Sequence, residues 1–186
     1  MAQSPSQDAR FRSVYTTHHA AVRNYCFRRL APADANDAIA GVFLVAWRRI
    51  DSVPGGDATL PYLYGIARNT VANALRSNRR KDRLDGKVSA LPVEFAQSPE
   101  SQVVQREEAR RILGVLDQLS DTEQELLRLK AWEQLPNAEI AEVMGLSLRA
   151  VDSRLSRARR KLERKAATPS PSTSAVPRPI EGGGER

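Results

Sequence analysis

Arg149, Ser153, Ser156, Arg157 and Arg160 recur at spacings that place them along one side of a helix, and together they offer donors for phosphates and base edges. Residues 149–165 hold eight Arg or Lys against two acids, Asp152 and Glu163, a charge excess suited to a phosphate backbone. Leu148, Val151, Leu155, Ala158 and Leu162 recur on the other side and are expected to face a core. Just upstream, Ala138, Ile140, Ala141, Val143 and Met144 form a shorter apolar pattern that stops at Gly145, a residue type able to take left-handed backbone past a helix end. Ser147 can then cap the next helix. The 135–165 stretch therefore reads as a helix-turn-helix. In that geometry the first turns of the second helix meet base edges, which selects Arg149, Ala150, Ser153 and Arg154, while residues 157–161 lie nearer the backbone. The bland alternative for this stretch is a solvated basic helix in an all-α bundle.

A second polar stripe lies upstream. Asn69, Asn73, Arg76 and Arg80 fall at i, i+4, i+7 and i+11, with Tyr62 and Tyr64 ahead of them. Aromatic rings stack on unpaired bases and cations track a phosphate backbone, so the stripe suits single-stranded nucleic acid. One of the two tyrosines is expected to be core instead.

The elements that must hold these residues are helical. Phe11, Val14, Tyr15, His18, Val22, Tyr25 and Leu30 predict a first helix to about residue 30. Ile39, Val42, Phe43, Ala46, Trp47 and Ile50 predict a second over 34–50. That second helix also carries Ala40, Gly41, Leu44 and Val45 off its main stripe, as expected of a helix that packs between others or docks on a partner. A glycine in its middle serves close approach or is merely tolerated. Prolines and Gly55-Gly56 break the chain over 51–61. A third helix starts near Pro61, with Leu63, Ile66, Ala67, Thr70 and Ala74 as its core face. From about residue 82 to 103 the pattern fails and a flexible linker is expected. A second unit begins with a helix through Val104, Ile112, Val115, Leu116 and Leu119, and restarts at Ser120, which with Glu123 forms a capping box. The Pro, Ser and Gly-rich end from 167 to 186, and residues 1–10, have little to bury and are expected to be disordered.

Composition agrees with small helical units. The 186 residues are 41% apolar and only 5% aromatic, with net charge +7 and pI near 10.1, which favours a polyanionic partner over a deep catalytic scaffold. No apolar run of membrane-spanning or signal-peptide length is present, and a single cysteine, Cys26, rules out an intrachain disulfide framework, so a cytoplasmic protein without membrane insertion is expected. Cys26 sits in an apolar pattern and reads as packing. His18-His19 point about 100° apart on a helix and lack a third ligand at suitable spacing. No motif-spaced metal cluster, glycine-rich phosphate loop or nucleophile–base set is recognisable, so neither an enzyme nor a cofactor is called for.

Taken in order, DANDAIAGVFLVAWRRI at 34–50, YLYGIARNTVANALRSNRRK at 62–81 and the joined stretch at 116–162 resemble the extracytoplasmic-function sigma factors of bacterial RNA polymerase. The resemblance covers about residues 11–165. It implies an all-α chain with region 2 over 11–81, a linker over 82–103 and region 4 over 104–166. It further implies that the helix matching 34–50 docks on the clamp helices of the polymerase β′ subunit through Asp37, Phe43, Leu44 and Trp47, with the β flap as a further contact of the polymerase core. The helix matching 62–81 would hold the opened −10 element through Tyr62, Asn69, Asn73, Arg76 and Arg80, and the helix-turn-helix would read the −35 element through Arg149, Ala150, Ser153, Arg154 and Arg157. An anti-sigma protein is a partner implied by family alone.

The chain departs from the family at Ala40 and Gly41, where Gln and an acid are usual, and at Tyr62, where Trp is frequent. Pro136 replaces a capping Ser and leaves Asn137 as a substitute cap. Asp152 replaces a frequent Lys and could accept from cytosine N4. Two rival readings are a stand-alone helix-turn-helix regulator, which leaves 11–81 unexplained, and a sigma-like interaction protein that no longer initiates.

Overall fold

A computed structural model describes residues 6–85 and 119–167 of the protein. Six helices account for most of them: α1 (Gln7–Phe27), α2 (Pro32–Arg48), α3 (Thr59–Asp85), α4 (Asp121–Ala131), α5 (Asn137–Met144) and α6 (Leu148–Ala167), with short 3-10 turns at Ile50–Ser52 and Gly56–Ala58 between α2 and α3. No strand occurs among the described residues. The remainder of the predicted linker, the helix expected through Val104 to Leu116 and the tail from 168 lie outside the described residues.

Helix ends follow local chemistry. Ser6 accepts from the Ala9 amide and starts α1 at Gln7, so the first helix begins four residues before the expected boundary at 11. Arg10 donates to the Val53 carbonyl, and Gln7 Nε2 to Asp51 Oδ2 at 2.9 Å, which ties this first turn to the α2–α3 connection. Pro32 opens α2, where its missing N–H is no loss. In the connection, Thr59 Oγ1 donates to the Pro54 carbonyl at 2.8 Å, and Gly56 takes φ 63. At its other end α3 runs to Asp85 and absorbs the first residues assigned to the linker, because 76–85 contains neither Gly nor Pro and the chain first meets a glycine at 86.

α1, α2 and α3 pack on one another around Val22, Tyr25, Cys26, Val42, Leu63 and Ala67. Cys26 is buried, and burial pushes its thiol up to about 11. α4, α5 and α6 form a second unit around Leu126, Leu129, Ile140, Val143, Val151 and Leu155. The two cores are continuous, because α5 packs directly on α3. That third neighbour widens the buried arc of α3 beyond the predicted stripe: Tyr64 and Val71 are buried as well as Leu63 and Ala67, whereas Ile66, Thr70 and Ala74 are only half-buried.

Gly41 is not a close-approach glycine. A Cβ built there would meet only Thr70 Cγ2 at 3.5 Å, an ordinary van der Waals contact.

Candidate nucleic-acid interface

The helix-turn-helix is locked by its turn. Gly145 adopts φ 62, ψ 39; its amide donates to the Glu142 carbonyl at 3.2 Å and the Leu146 amide to Ala141 at 2.9 Å, the paired bonds of a Schellman end. Ser147 Oγ accepts from the Ala150 amide at 3.2 Å and starts α6. Upstream, the capping box of α4 is formed in both directions, Ser120 Oγ accepting from the Glu123 amide and Glu123 from the Ser120 amide. Glu123 also takes a hydrogen bond from Lys161 Nζ of α6 at 2.5 Å. That bond first, and the Ser120 amide second, hold its carboxyl at about 2. Between α4 and α5, Gln134 takes φ 55, which turns the chain so that the Leu135 amide reaches the Leu129 carbonyl at 3.2 Å.

Val151, Leu155 and Ala158 bury one side of α6 as expected. Leu148, placed with them by periodicity, is 48% exposed: at the first position of the helix it precedes the first buried residue, Val151, by almost a turn. Arg149, Ser153, Arg157 and Arg160 are exposed on the free side, and Ala150 and Arg154 are half-buried at its edge. Arg157 is folded back on Ser153, donating to both its carbonyl and its hydroxyl at 3.3 Å.

Asn137 and Asp152 differ from expectation. The helix cap of α5 is Pro136, without a side-chain bond, and Asn137 is already helical. Its amide instead donates to Asp152 Oδ1 at 2.6 Å, so Asn137 is no substitute cap, and the carboxylate of Asp152 turns to the start of α5, where a negative charge suits the helix dipole.

On α3, Asn69, Asn73, Arg76 and Arg80 are all exposed, and Arg76, Arg79, Arg80 and Arg83 border one shallow hollow near its end. The two tyrosines divide: Tyr62 is half-buried at the head of the stripe, whereas Tyr64 is 3% exposed and its hydroxyl is pushed up to about 12 by burial, with Glu133 beside it.

A third surface, of aromatic side chains, lies across α1 and α2. Leu44 and Trp47 are 48% and 40% exposed, and Asp37 is exposed on the same helix. Phe43 is only 4% exposed, because it shares the core-facing side of α2 with Ile39, Val42 and Ala46. It backs the surface rather than forming it: Tyr15 packs on it with ring centres 4.6 Å apart and His19 at 5.8 Å, while Phe11 meets Trp47 edge-on at 5.1 Å. Phe11, Tyr15 and His19 are thus part of a surface that sequence reading assigned to α2 alone. Their helical spacing was visible, but their use as a platform for Trp47 was not. His18, beside this cluster, is half-buried, and desolvation lowers its pKa.

One further constellation went unread. Arg29 is buried at the end of α1, donating to Glu125 through Nε (3.0 Å) and Nη2 (3.1 Å), to Glu133 through Nη1 (3.0 Å) and to the Tyr25 carbonyl (2.9 Å), with its guanidinium 3.5 Å from the Tyr25 ring centre. Burial alone lowers its pKa, but Glu125, Tyr25 and Glu133 outweigh that and hold it above the ordinary arginine value. Arg28 adds a bond to Glu133 at 2.9 Å, and Tyr25 donates its hydroxyl to Glu125 at 2.7 Å; burial keeps that hydroxyl well above its usual pKa.

Comparison with known proteins identifies the relatives of the chain. Residues 14–81 match the family Sigma-70 region 2, and residues 109–162 match Sigma-70, region 4. The RNA polymerase sigma factor CnrH of Cupriavidus metallidurans is 30% identical over 136 residues, 69% of this chain and 71% of CnrH. A probable RNA polymerase sigma factor, RfaY of Xanthomonas campestris, is 35% identical over 131 residues, 68% of this chain, which spans about a third (32%) of its length. The ECF RNA polymerase sigma-E factor of Escherichia coli is 27% identical over 147 residues, 74% of this chain and 76% of that protein. In fold, the chain is similar to the sigma factor RpoE solved with the anti-sigma factor NepR from Bartonella quintana, with TM-score 0.66 at 20% identity over 84% of this chain and 96% of that one. With a region 2 bundle on α1–α3 and a region 4 helix-turn-helix on α4–α6, the chain belongs to the sigma-70 family of RNA polymerase sigma factors, in its extracytoplasmic-function branch.

Proposed function

We propose that the chain brings RNA polymerase core to promoters and helps to open them through three separate faces. Leu44 and Trp47, with Asp37 at the edge and Phe43 beneath, dock on the core. Tyr62, Asn69, Asn73, Arg76 and Arg80 hold the opened −10 strand. The free side of α6, led by Arg149, Ala150, Ser153, Arg154 and Arg157, reads the −35 duplex. The observation that carries this reading is that the −10 stripe and the α6 face are both polar or basic and solvent-facing, while the α2 face is apolar and solvent-facing. Each face fits a different chemistry: single-stranded nucleic acid, duplex and protein.

The role is regulatory and no reaction is assigned to the chain. Separated strands are held by stacking and charge, which offset the few kcal/mol that unstacking each base requires. The work takes place where the polymerase is, in the cytoplasm; among the described residues no helix is long and apolar enough to cross a membrane. Bartonella RpoE was solved with an anti-sigma factor, and a protein of that class is a candidate partner here.

The test is co-elution of the purified chain with bacterial core polymerase, followed by transcription from promoter fragments. Stoichiometric co-elution with promoter-dependent transcript is expected. Retention of DNA binding without co-elution would replace this reading with a stand-alone regulator. Within the active complex, replacing Arg76 and Arg80 together should leave −35 binding intact and abolish permanganate reactivity of −10 thymines.

A further inference from the structure

Among the described residues, four large apolar side chains are well exposed: Tyr15 (40%), Leu44 (48%), Trp47 (40%) and Leu148 (48%). Tyr15, Leu44 and Trp47 belong to the surface across α1 and α2. Leu148 stands apart from them as the first residue of α6. An isolated exposed leucine on an idle surface calls for no explanation. This one occupies the end of the helix whose free side carries Arg149, Ser153 and Arg157, all of them exposed.

The fold makes no use of the side chain, because its neighbours already fill every local role. Ser147 caps the helix, accepting from the Ala150 amide at 3.2 Å. The residue before a helix cap and the fourth residue of the helix commonly join as a hydrophobic staple. Here they are Leu146, which packs against the core, and Val151, which is fully buried. The core face continues through Leu155 and Ala158, both buried. Cα–Cβ bonds tilt toward the N-terminus of a helix, and the first residue has no preceding turn to lie on. The side chain of Leu148 therefore projects ahead of the helix end. In helix-turn-helix docking that end enters the major groove.

Base-pair edges in the major groove present donors and acceptors, with one apolar exception, the C5 methyl group of thymine. Leucine has neither donor nor acceptor to offer. Against guanine O6 and N7 or cytosine N4 it would displace water and leave those groups unpaired, whereas against the methyl group it buries apolar surface on both sides. We propose that Leu148 reads a thymine methyl in the −35 element, adding an apolar specificity contact to the polar ones of α6. The proposal rests on the −35 reading above. Successive Cα atoms are about 3.8 Å apart, close to one base-pair step of roughly 3.4 Å. The thymine therefore lies within about two base pairs of the base that Arg149 reads. The contact works by exclusion as well as attraction, since a G·C pair at that step forfeits its hydrogen bonds.

The experiment takes the duplex that the full-length chain enriches from a random-sequence pool and replaces its thymines one at a time by deoxyuridine, which lacks only the methyl group. Affinities of the full-length chain and of its Leu148→Ala variant are read by fluorescence anisotropy. Leu148 is exposed, so its truncation opens no core, and the uracil series leaves the protein itself unaltered. The wild-type chain is expected to bind about fourfold more weakly when one particular thymine loses its methyl, the scale of a single methyl-sized contact returned to water. Leu148→Ala should bind the thymine duplex more weakly by a similar factor and be indifferent to uracil at that position, while keeping its response to base changes at the position read by Arg149. Undiminished uracil sensitivity in the variant would overturn the proposal and leave the −35 reading intact, as would a wild-type chain indifferent to uracil at every position. A chain that enriches no duplex sequence would refute the −35 reading and the proposal with it.

Discussion

The side-chain amide of Asn137 donates to Asp152 at 2.6 Å, so the first residue of α5 and the third residue before Leu155 on α6 are joined at the entrance of the helix-turn-helix. The acid that replaces a frequent Lys is therefore turned toward its own domain. Asp152→Lys should strengthen binding to any duplex. It should also steepen the dependence of log affinity on log salt by about one unit, by adding a phosphate contact. Fluorescence anisotropy across a salt series measures this; a gain confined to one base sequence would instead show that residue 152 reads bases.

Arg149 and Arg160 share the exposed side of α6 but sit three turns apart. Arg149→Ala should lose about 1–3 kcal/mol at one base position and relax specificity there. Arg160→Ala should weaken specific and random duplexes alike and reduce the salt slope by about one unit. Competition binding with single-base promoter variants separates the two.

Gly41 sits inside α2 with room for a methyl group against Thr70. Gly41→Ala is expected to stabilise the chain by up to about 1 kcal/mol, because alanine has less backbone freedom to lose. For a protein of this size that is a rise in Tm of roughly 2–4 °C, read by thermal denaturation. A fall would show that the methyl strains the α2–α3 contact.

Glu123 is held at about 2 by Lys161 and the Ser120 amide, below its ordinary 4.5. A depressed carboxyl contributes stability that is complete above the unfolded value and is lost as pH falls through the folded one. Melting temperature should therefore decline from about pH 5 toward pH 2. Glu123→Gln, which can still serve the capping box, should flatten part of that decline and lower Tm at pH 7. Identical pH profiles for the two proteins would remove Glu123 as a source of acid sensitivity.

The helices, the turn at Gly145, the capping box at Ser120 and both polar stripes could be read from sequence because each is governed by residues within a few turns of one another. The same locality explains the split of Tyr62 and Tyr64: spacing predicted that one is core, but only the packing of α5 on α3 decides which. Periodicity puts Phe43 on the apolar stripe of α2, where it is buried, but does not apportion that stripe between the core and the outer surface. That Phe43 lies beneath the Leu44 and Trp47 face rather than in it is visible only in the packing. Arg28 and Arg29 read as one more basic pair in a basic chain. Their carboxylate partners are far along the sequence, and no periodicity connects residue 29 to residue 125. The ends of α1 and α3 were drawn too short because Ser6 and the glycine-free run after Arg80 are weak boundary signals beside a fading apolar pattern.

The bonds from Gln7 and Arg10 to Asp51 and Val53 tie the front of the chain to the α2–α3 connection, and so, on the proposed function, to promoter melting. The segment they grasp leads through Pro54 and Thr59 into the head of α3, where Tyr62 begins the stripe proposed to hold the opened strand. An affinity tag pressed against Ser6, or a shortened chain starting after Arg10, would release that segment while leaving the helix-turn-helix untouched. Such a preparation would bind −35 duplex normally and open DNA poorly, and its defect would be read as a fault in α3 although every residue of α3 is intact.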